Sequence, residues 1–231
     1  MIIGIHQPNF FPWFGYFVKI VRSDIFVFLD DVQIVQTGGS YTNRTSLNIQ
    51  GNSQYFSVAI KREPGIQLIN QSYFANAFWQ KKLKGTLQAN YSKAPYYKEN
   101  IVFVHNLIDF HTESLSEFNS NSIMTLTEHL GISKSFLKSS SLSVAGSSTE
   151  RLVEIVKKLK GDTYLSGKGG DKYQQAILFE SNQINLLYNE FEHPVYYQQN
   201  TEHFLKGLSI LDFLFNLGKD KLQELLFGLK Y

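Results

Sequence analysis

The first twenty-nine residues constrain the fold most. Residues 2–5, Ile-Ile-Gly-Ile, are a short apolar run of the kind that forms a buried strand. A loop rich in Pro, Asn and aromatic residues follows at 6–12. Residues 13–21 then set Trp13, Phe17, Ile20 and Val21 on one side of a helix, with Pro12 suited to the first helical position. Ser23 and Asp24 punctuate, and 25–29 is a second apolar run. Strand, loop, helix and strand in this order predict a parallel pair joined by a crossover.

The remainder extends that pattern. A strand is expected at 55–60, ended by Pro64-Gly65. Two or three helices are expected between 71 and 130, where Phe74, Phe78, Leu83, Leu87 and Tyr91 keep helical spacing and Gly131 provides a stop. A strand is expected within 136–144. Ser147, with Glu150 three residues on, has the spacing of a capping box before the apolar set Leu152, Val153, Ile155, Val156 and Leu159. Residues 163–166 read as a strand, 171–180 as a helix and 184–188 as a strand; Ser209 starts a last helix and Gly218 stops it. This alternation predicts an α/β fold: a doubly wound, mainly parallel, nucleotidylyltransferase-like sheet with C-terminal helices. A length of 231 residues suits a single domain, 1–231, with a helical insert at 71–131.

Composition narrows the function. The absence of cysteine excludes disulfides, thiol catalysis and iron–sulfur clusters. A net charge of +2, without a dense Lys/Arg block, does not suggest a DNA-binding protein. No stretch reaches the roughly 18 apolar residues of a membrane helix, and the start lacks a signal peptide's basic region, so no membrane partner and a cytoplasmic location are expected. Phe and Tyr are abundant, 19 and 13, enough for both a core and the walls of a pocket. The histidines beyond the first loop lack ligand spacing, and no metal set is read from them.

Four stretches carry candidate chemistry. The first is His6-Gln7-Pro8-Asn9-Phe10-Phe11-Pro12-Trp13-Phe14-Gly15-Tyr16, between the first strand and helix. Ligands of open α/β sheets bind there, and a helix N-terminus offers N–H groups to an anion. His6 can donate to phosphate or move a proton, Gly15 permits close approach, and Trp13 or Phe10 can stack on a base. The ordinary alternative is a rigid aromatic turn around a core histidine. The second stretch is Asp30-Asp31-Val32-Gln33, whose carboxylates suit Mg²⁺, a ribose hydroxyl or an amine proton, or merely a turn. Asn43-Arg44 adds amide and guanidinium donors, or a surface loop. The third, Tyr164-Leu165-Ser166-Gly167-Lys168-Gly169-Gly170-Asp171 with Tyr173, holds a glycine-rich turn that can cradle an anion, or an ordinary turn without a ligand, but is no Walker loop. The fourth places Tyr197 and Gln198 after His193-Pro194.

Together these stretches resemble the WbqC-like proteins. The resemblance rests on H-Q-P-N-F-F-P-W-F-G-Y-F-x-K-I at 6–20, D-x-F-x-x-L-D-D-V-Q at 24–33 and N-R at 43–44. Y-L-S-G-K-G-G-x-x-Y at 164–173 and L-S-I-L-D-x-L-F-N-x-G at 208–218 extend it over nearly the whole chain. Phe10 is a departure, since Tyr is frequent there. The resemblance implies a bacterial enzyme encoded among genes for O-antigen or other surface-polysaccharide sugars. It implies decoration of a nucleotide-linked amino sugar by amide formation, for example with glycine. In that scheme His6 and Asp30 are catalytic. Gln7, Asn9, Trp13, Gly15, Asp31, Gln33, Asn43, Arg44, Ser166, Gly167, Lys168, Tyr173, Tyr197 and Gln198 bind substrate. The acyl donor is an adenylate, a thioester or an aminoacyl-tRNA, the last disfavoured by the near-neutral charge. Mg²⁺ and ATP remain open as cofactors. A more distant similarity to nucleotidylyltransferases of the HIGH type lacks their second histidine. It leaves an ATP-dependent ligase, and a non-catalytic sugar-nucleotide-binding accessory protein, as the alternatives.

Overall fold

A computed structural model describes residues 1–35, 40–169 and 174–229. The opening unit is β1 (Ile2–His6), α1 (Phe14–Arg22) and β2 (Ile25–Phe28), and β1 and β2 pair in parallel with Ile3 opposite Ile25. The helix begins two residues after Pro12, because Trp13 is still extended and bridges to Ser209. Three more strands complete the sheet: β5 (Ser135–Lys138), β6 (Thr163–Ser166) and β7 (Asn185–Tyr188). Among the described residues their order is β5-β2-β1-β6-β7, every neighbour parallel. The chain runs outward from β1 through β2 to β5, then returns to the other side of β1 for β6 and β7. The fold is therefore α/β and doubly wound, and its direction reverses between β1 and β6.

Between β2 and β5 the chain inserts a hairpin and three helices. The hairpin joins β3 (Arg44–Ile49) to β4 (Asn52–Ser57) through Gln50 and Gly51, both at positive φ, as a two-residue turn requires. The strand expected at 55–60 is thus the tail of an earlier, antiparallel one. The helices are α2 (Phe78–Tyr91), α3 (Tyr97–Ile108) and α4 (Leu115–His129), and Gly131 leaves the last of them at φ 67°.

The sheet buries both faces. On one lie Ile3, Ile5 and Val27, packed with Val153 and Val156 of α5 (Ser148–Lys158) and Phe179 of α6 (Ala176–Ser181). On the other, one continuous cluster runs from Phe17 and Phe26 through α7 (Ile210–Phe227) to Phe118 and Leu87 of the insert. Ser209 caps α7 as expected, accepting from the Leu211 N–H. Gly218 does not stop that helix but kinks it, at φ 77° and ψ 170°. The helix resumes because Leu222 and Leu226 are still buried beyond the kink. A Cβ at position 218 would lie 2.6 Å from the Tyr96 ring, so the kink and the packing both demand glycine. No helix among the described residues is long and apolar enough to cross a membrane.

Candidate functional site

A cavity of about 690 Å³ opens at the carboxyl ends of β1 and β6, where the strand order reverses. This is the place where open α/β sheets bind ligands. Alternation along β1 sends Ile3 and Ile5 into the α5 face, and so turns His6 toward α1, against Trp13 and Tyr16. The walls come from six places: the end of β1, the first turns of α1, Leu29 and Val32 after β2, the start of α5, the Ser166-Gly167-Lys168-Gly169 turn after β6, and Asn189 and Phe191 after β7. Of the expected site residues, His6, Gln7, Trp13, Gly15, Ser166, Gly167 and Lys168 line it.

Each is held for a local reason. His6 Nδ1 lies 3.1 Å from the Gln7 carbonyl, an acceptor only, so Nδ1 carries the proton and Nε2 is left as an acceptor. Burial, reinforced by the positive charge of Lys19, pushes the imidazole pKa down to about 3, and the ring is neutral at physiological pH. The Tyr16 hydroxyl donates to the same Gln7 carbonyl at 3.0 Å. The Gly15 carbonyl accepts from Asn189 Nδ2 at 2.9 Å, and a Cβ on Gly15 would meet the Phe191 ring at 2.7 Å. Ser166 Oγ donates to Gln174 Oε1, and Gln174 Nε2 to the Tyr164 hydroxyl, which fixes the polar floor at the end of β6. At the start of α5 the Ser147 side chain makes no cap bond, and Ser148, Thr149 and Arg151 face the cavity.

The other expected residues lie elsewhere. Asp30 is buried but off the cavity wall. Its Oδ1 accepts from the Ser140 N–H at 3.0 Å and lies 3.2 Å from Ser139 Oγ, and its Oδ2 accepts from Ser140 Oγ at 2.8 Å. Those bonds pin the end of β2 to the 3₁₀ turn Ser139–Ser141 beyond β5. Asp31 pairs with Arg151, and thereby positions a cavity residue, with Ser139 Oγ 2.5 Å from its other oxygen. Gln33 is exposed and bridges to Leu68. Asn43 donates to the Val58 carbonyl at 3.0 Å and closes the base of the hairpin. Arg44 stacks on Tyr55, 4.0 Å from the ring centroid, and faces Tyr41. With Asn9 it lines a separate cleft of about 10 Å³, room for roughly one water. Phe10 does not reach a ligand surface, because it is fully buried against Trp79 and Phe118. Tyr197 projects into solvent, and Gln198 bonds both backbone groups of Leu205. Tyr173 lies outside the described residues.

Sequence reading passed over Lys19, Arg151, Gln174 and Asn189, and took Tyr164 only as the start of the glycine-rich stretch. Lys19 left a visible signal: it is the one charged residue within Phe14–Val21, all of which is buried. Its Nζ donates to the Ile5 carbonyl at 2.6 Å, and burial pulls its pKa down to about 7. The Tyr164 hydroxyl moves the other way, to about 12, again chiefly through burial. Among the described residues the cavity wall holds Lys19, Arg151 and Lys168 and neither Asp nor Glu. Such a wall favours an anionic ligand.

Comparison with known proteins agrees with the motifs. A model of the WbqC-like protein family matches residues 7–224. The chain is also 28% identical, over 221 residues and 94% of each sequence, to the uncharacterized protein Rv1507c of Mycobacterium tuberculosis (strain ATCC 25618 / H37Rv). No solved structure matches. With the matched region running from the first loop to α7, the chain belongs to the WbqC-like protein family.

Proposed function

We propose that the cavity is the active site of a transferase that acylates the amine of a nucleotide-linked amino sugar. The observation that carries this reading is a wall that holds Lys19 and Lys168 with no carboxylate among its lining residues, Arg151 being paired with Asp31, beside a neutral imidazole at the reversal of the sheet. The diphosphate takes the glycine-rich turn, where Lys168 and the first N–H groups of α5 supply donors to phosphate oxygens. Trp13, partly exposed on the wall, offers a stacking face to the base or sugar.

Amide formation needs the sugar amine to attack an activated acyl carbon. The C–N bond forms, the bond to the leaving group breaks with its electron pair, and the amine gives up a proton. His6 Nε2 is the acceptor placed for that proton. Loss of solvent, reinforced by the charge on Lys19, makes the imidazole a weak base. The ring is therefore neutral around pH 7, with Nε2 as its acceptor. The setting in surface-polysaccharide synthesis comes from the family resemblance. Asp30 then serves by position, holding β2 and β5 in register behind the site.

Thermal unfolding with a ligand panel tests the substrate class: uridine and thymidine diphospho-amino sugars, ATP with Mg²⁺, acetyl-CoA and glycine. At about 100 times its dissociation constant, a bound ligand adds roughly 2.7 kcal/mol, a rise of roughly 5–11 °C for a chain of this size. The expected result is a rise with an amino-sugar nucleotide. A rise with ATP alone points instead to a ligase or nucleotidylyltransferase.

A further inference from the structure

Lys19 is an unusual residue for its place. Its side chain is 2% exposed in a helix otherwise packed with aromatic and aliphatic residues, yet it reaches the cavity wall. An ammonium carries three donors, and the one acceptor described for it is the Ile5 carbonyl. Among the described residues no carboxylate pairs with it. The remaining close group is the face of Tyr164, whose ring centre lies 5.7 Å from Nζ. Buried charges in folded proteins are normally paired, and a cation that is not paired by its own chain calls for an anion from outside.

We infer that Lys19 is a ligand-binding residue on the wall between β1 and β6, that it takes an anionic oxygen of the ligand on its two uncommitted N–H groups, and that anion and proton bind together. This rests on reading the cavity as the ligand site, but not on acyl transfer or on a nucleotide. The titratable and charged side chains that share the wall are His6 of β1, Tyr16 of α1, Tyr164 of β6, Arg151 of α5 and Lys168. In the window around pH 7, His6 is already neutral and Tyr16 and Tyr164 keep their protons, so Lys19 is the group that changes. Burial makes the free site release the Lys19 proton near pH 7, whereas an anion beside it favours the charged form. The sign follows: anion binding is strong below about pH 7, takes up a proton above it, and weakens by roughly tenfold for each further pH unit.

The oxygen belongs either to a phosphate or to a carboxylate, and two probes of fixed charge separate them. Sulfate stands for the phosphate oxyanion and D-glucuronate for a sugar carboxylate. Calorimetric titration of the full chain from pH 6 to 8.5, at constant ionic strength and in two buffers of different ionisation enthalpy, reads both affinity and proton uptake. The expected result is that one probe binds with a midpoint near pH 7 and takes up a proton above it. Lys19→Gln, which keeps a donor for the Ile5 carbonyl but loses the charge, removes the pH dependence and at least tenfold of the affinity. Lys168→Ala weakens binding but keeps its pH dependence. Whichever probe shows this behaviour identifies the source of the oxygen. Equal binding by Lys19→Gln, or binding of neither probe by the wild-type chain, overturns the inference. Should Lys19→Gln fail to fold, a wild-type affinity that is flat across pH 7 overturns it as well. Sulfate contains no nucleotide, so a negative nucleotide panel and a negative sulfate titration are separate failures.

Discussion

Replacing His6 by Ala lowers turnover roughly 10²- to 10⁴-fold, the range that a positioned general base supplies. The same change costs far less in stability. The imidazole is only partly buried and neutral, and its described hydrogen bond is to the adjacent Gln7 carbonyl. Amide product counted by mass spectrometry, beside a melting curve for each variant, separates the two effects. His6→Gln is the companion, since it keeps a polar group but cannot take the proton as imidazole does. A fall in turnover that merely tracks the unfolded fraction removes His6 from the chemistry and leaves it as part of the aromatic turn.

Asp30→Ala has the opposite signature. The carboxylate holds the Ser140 N–H and hydroxyl and has the Ser139 hydroxyl within reach, all beyond β5, while its own backbone carbonyl accepts from Asn70 at 2.8 Å. Removing one partner of a buried charged network typically costs about 3–5 kcal/mol, because the groups left behind lose water and partner alike. Denaturant unfolding reads that loss directly. Asp30→Asn retains one acceptor oxygen, so it loses less stability. Because the residue is off the cavity wall, the part of Asp30→Asn that remains folded keeps its turnover. A folded Asp30→Asn that has lost its turnover returns Asp30 to the chemistry.

The two aspartates show what a sequence can and cannot convey. Asp30 and Asp31 are adjacent, and their pairing suggested one shared site. Yet both meet Ser139 of the 3₁₀ turn after β5, where Asp30 also holds Ser140 and Asp31 reaches on to Arg151, contacts 108 to 120 residues away in sequence. Features set within a few residues were legible: the β1–α1–β2 unit, the strand at β6, the Ser209 cap and the glycine-rich turn. The hairpin was not, because β4 exposes most of its side chains and shows no apolar alternation to read. The Gln50-Gly51 turn was the available signal. Gly218 looked like a helix end because its local chemistry is that of a stop. Only the burial of Leu222 and Leu226 against the rest of the chain carries the helix past it.

The site divides along the same line. Its first-loop and glycine-turn residues were legible because each sits at a strand end, and parallel strands bring such ends together. Arg151 and Asn189 reach the wall only through the docking of α5 and the path of the chain after β7, which no local pattern encodes. Arg44 was drawn in by its motif. It stands on the hairpin between Tyr41 and Tyr55, beside the smaller cleft, and Trp13 lines both that cleft and the cavity.

That separation provides the most direct test of the central claim, that the β1–β6 cavity and not the hairpin cleft receives the ligand. The measurement is the affinity of the amino-sugar nucleotide identified by the panel, for wild type, Lys168→Ala and Arg44→Ala, each corrected for its folded fraction. Losing one charged donor to phosphate corresponds to roughly tenfold or more in affinity. The cavity account predicts that loss for Lys168→Ala and a change below about twofold for Arg44→Ala. A tenfold loss confined to Arg44→Ala contradicts it and moves the site to the hairpin.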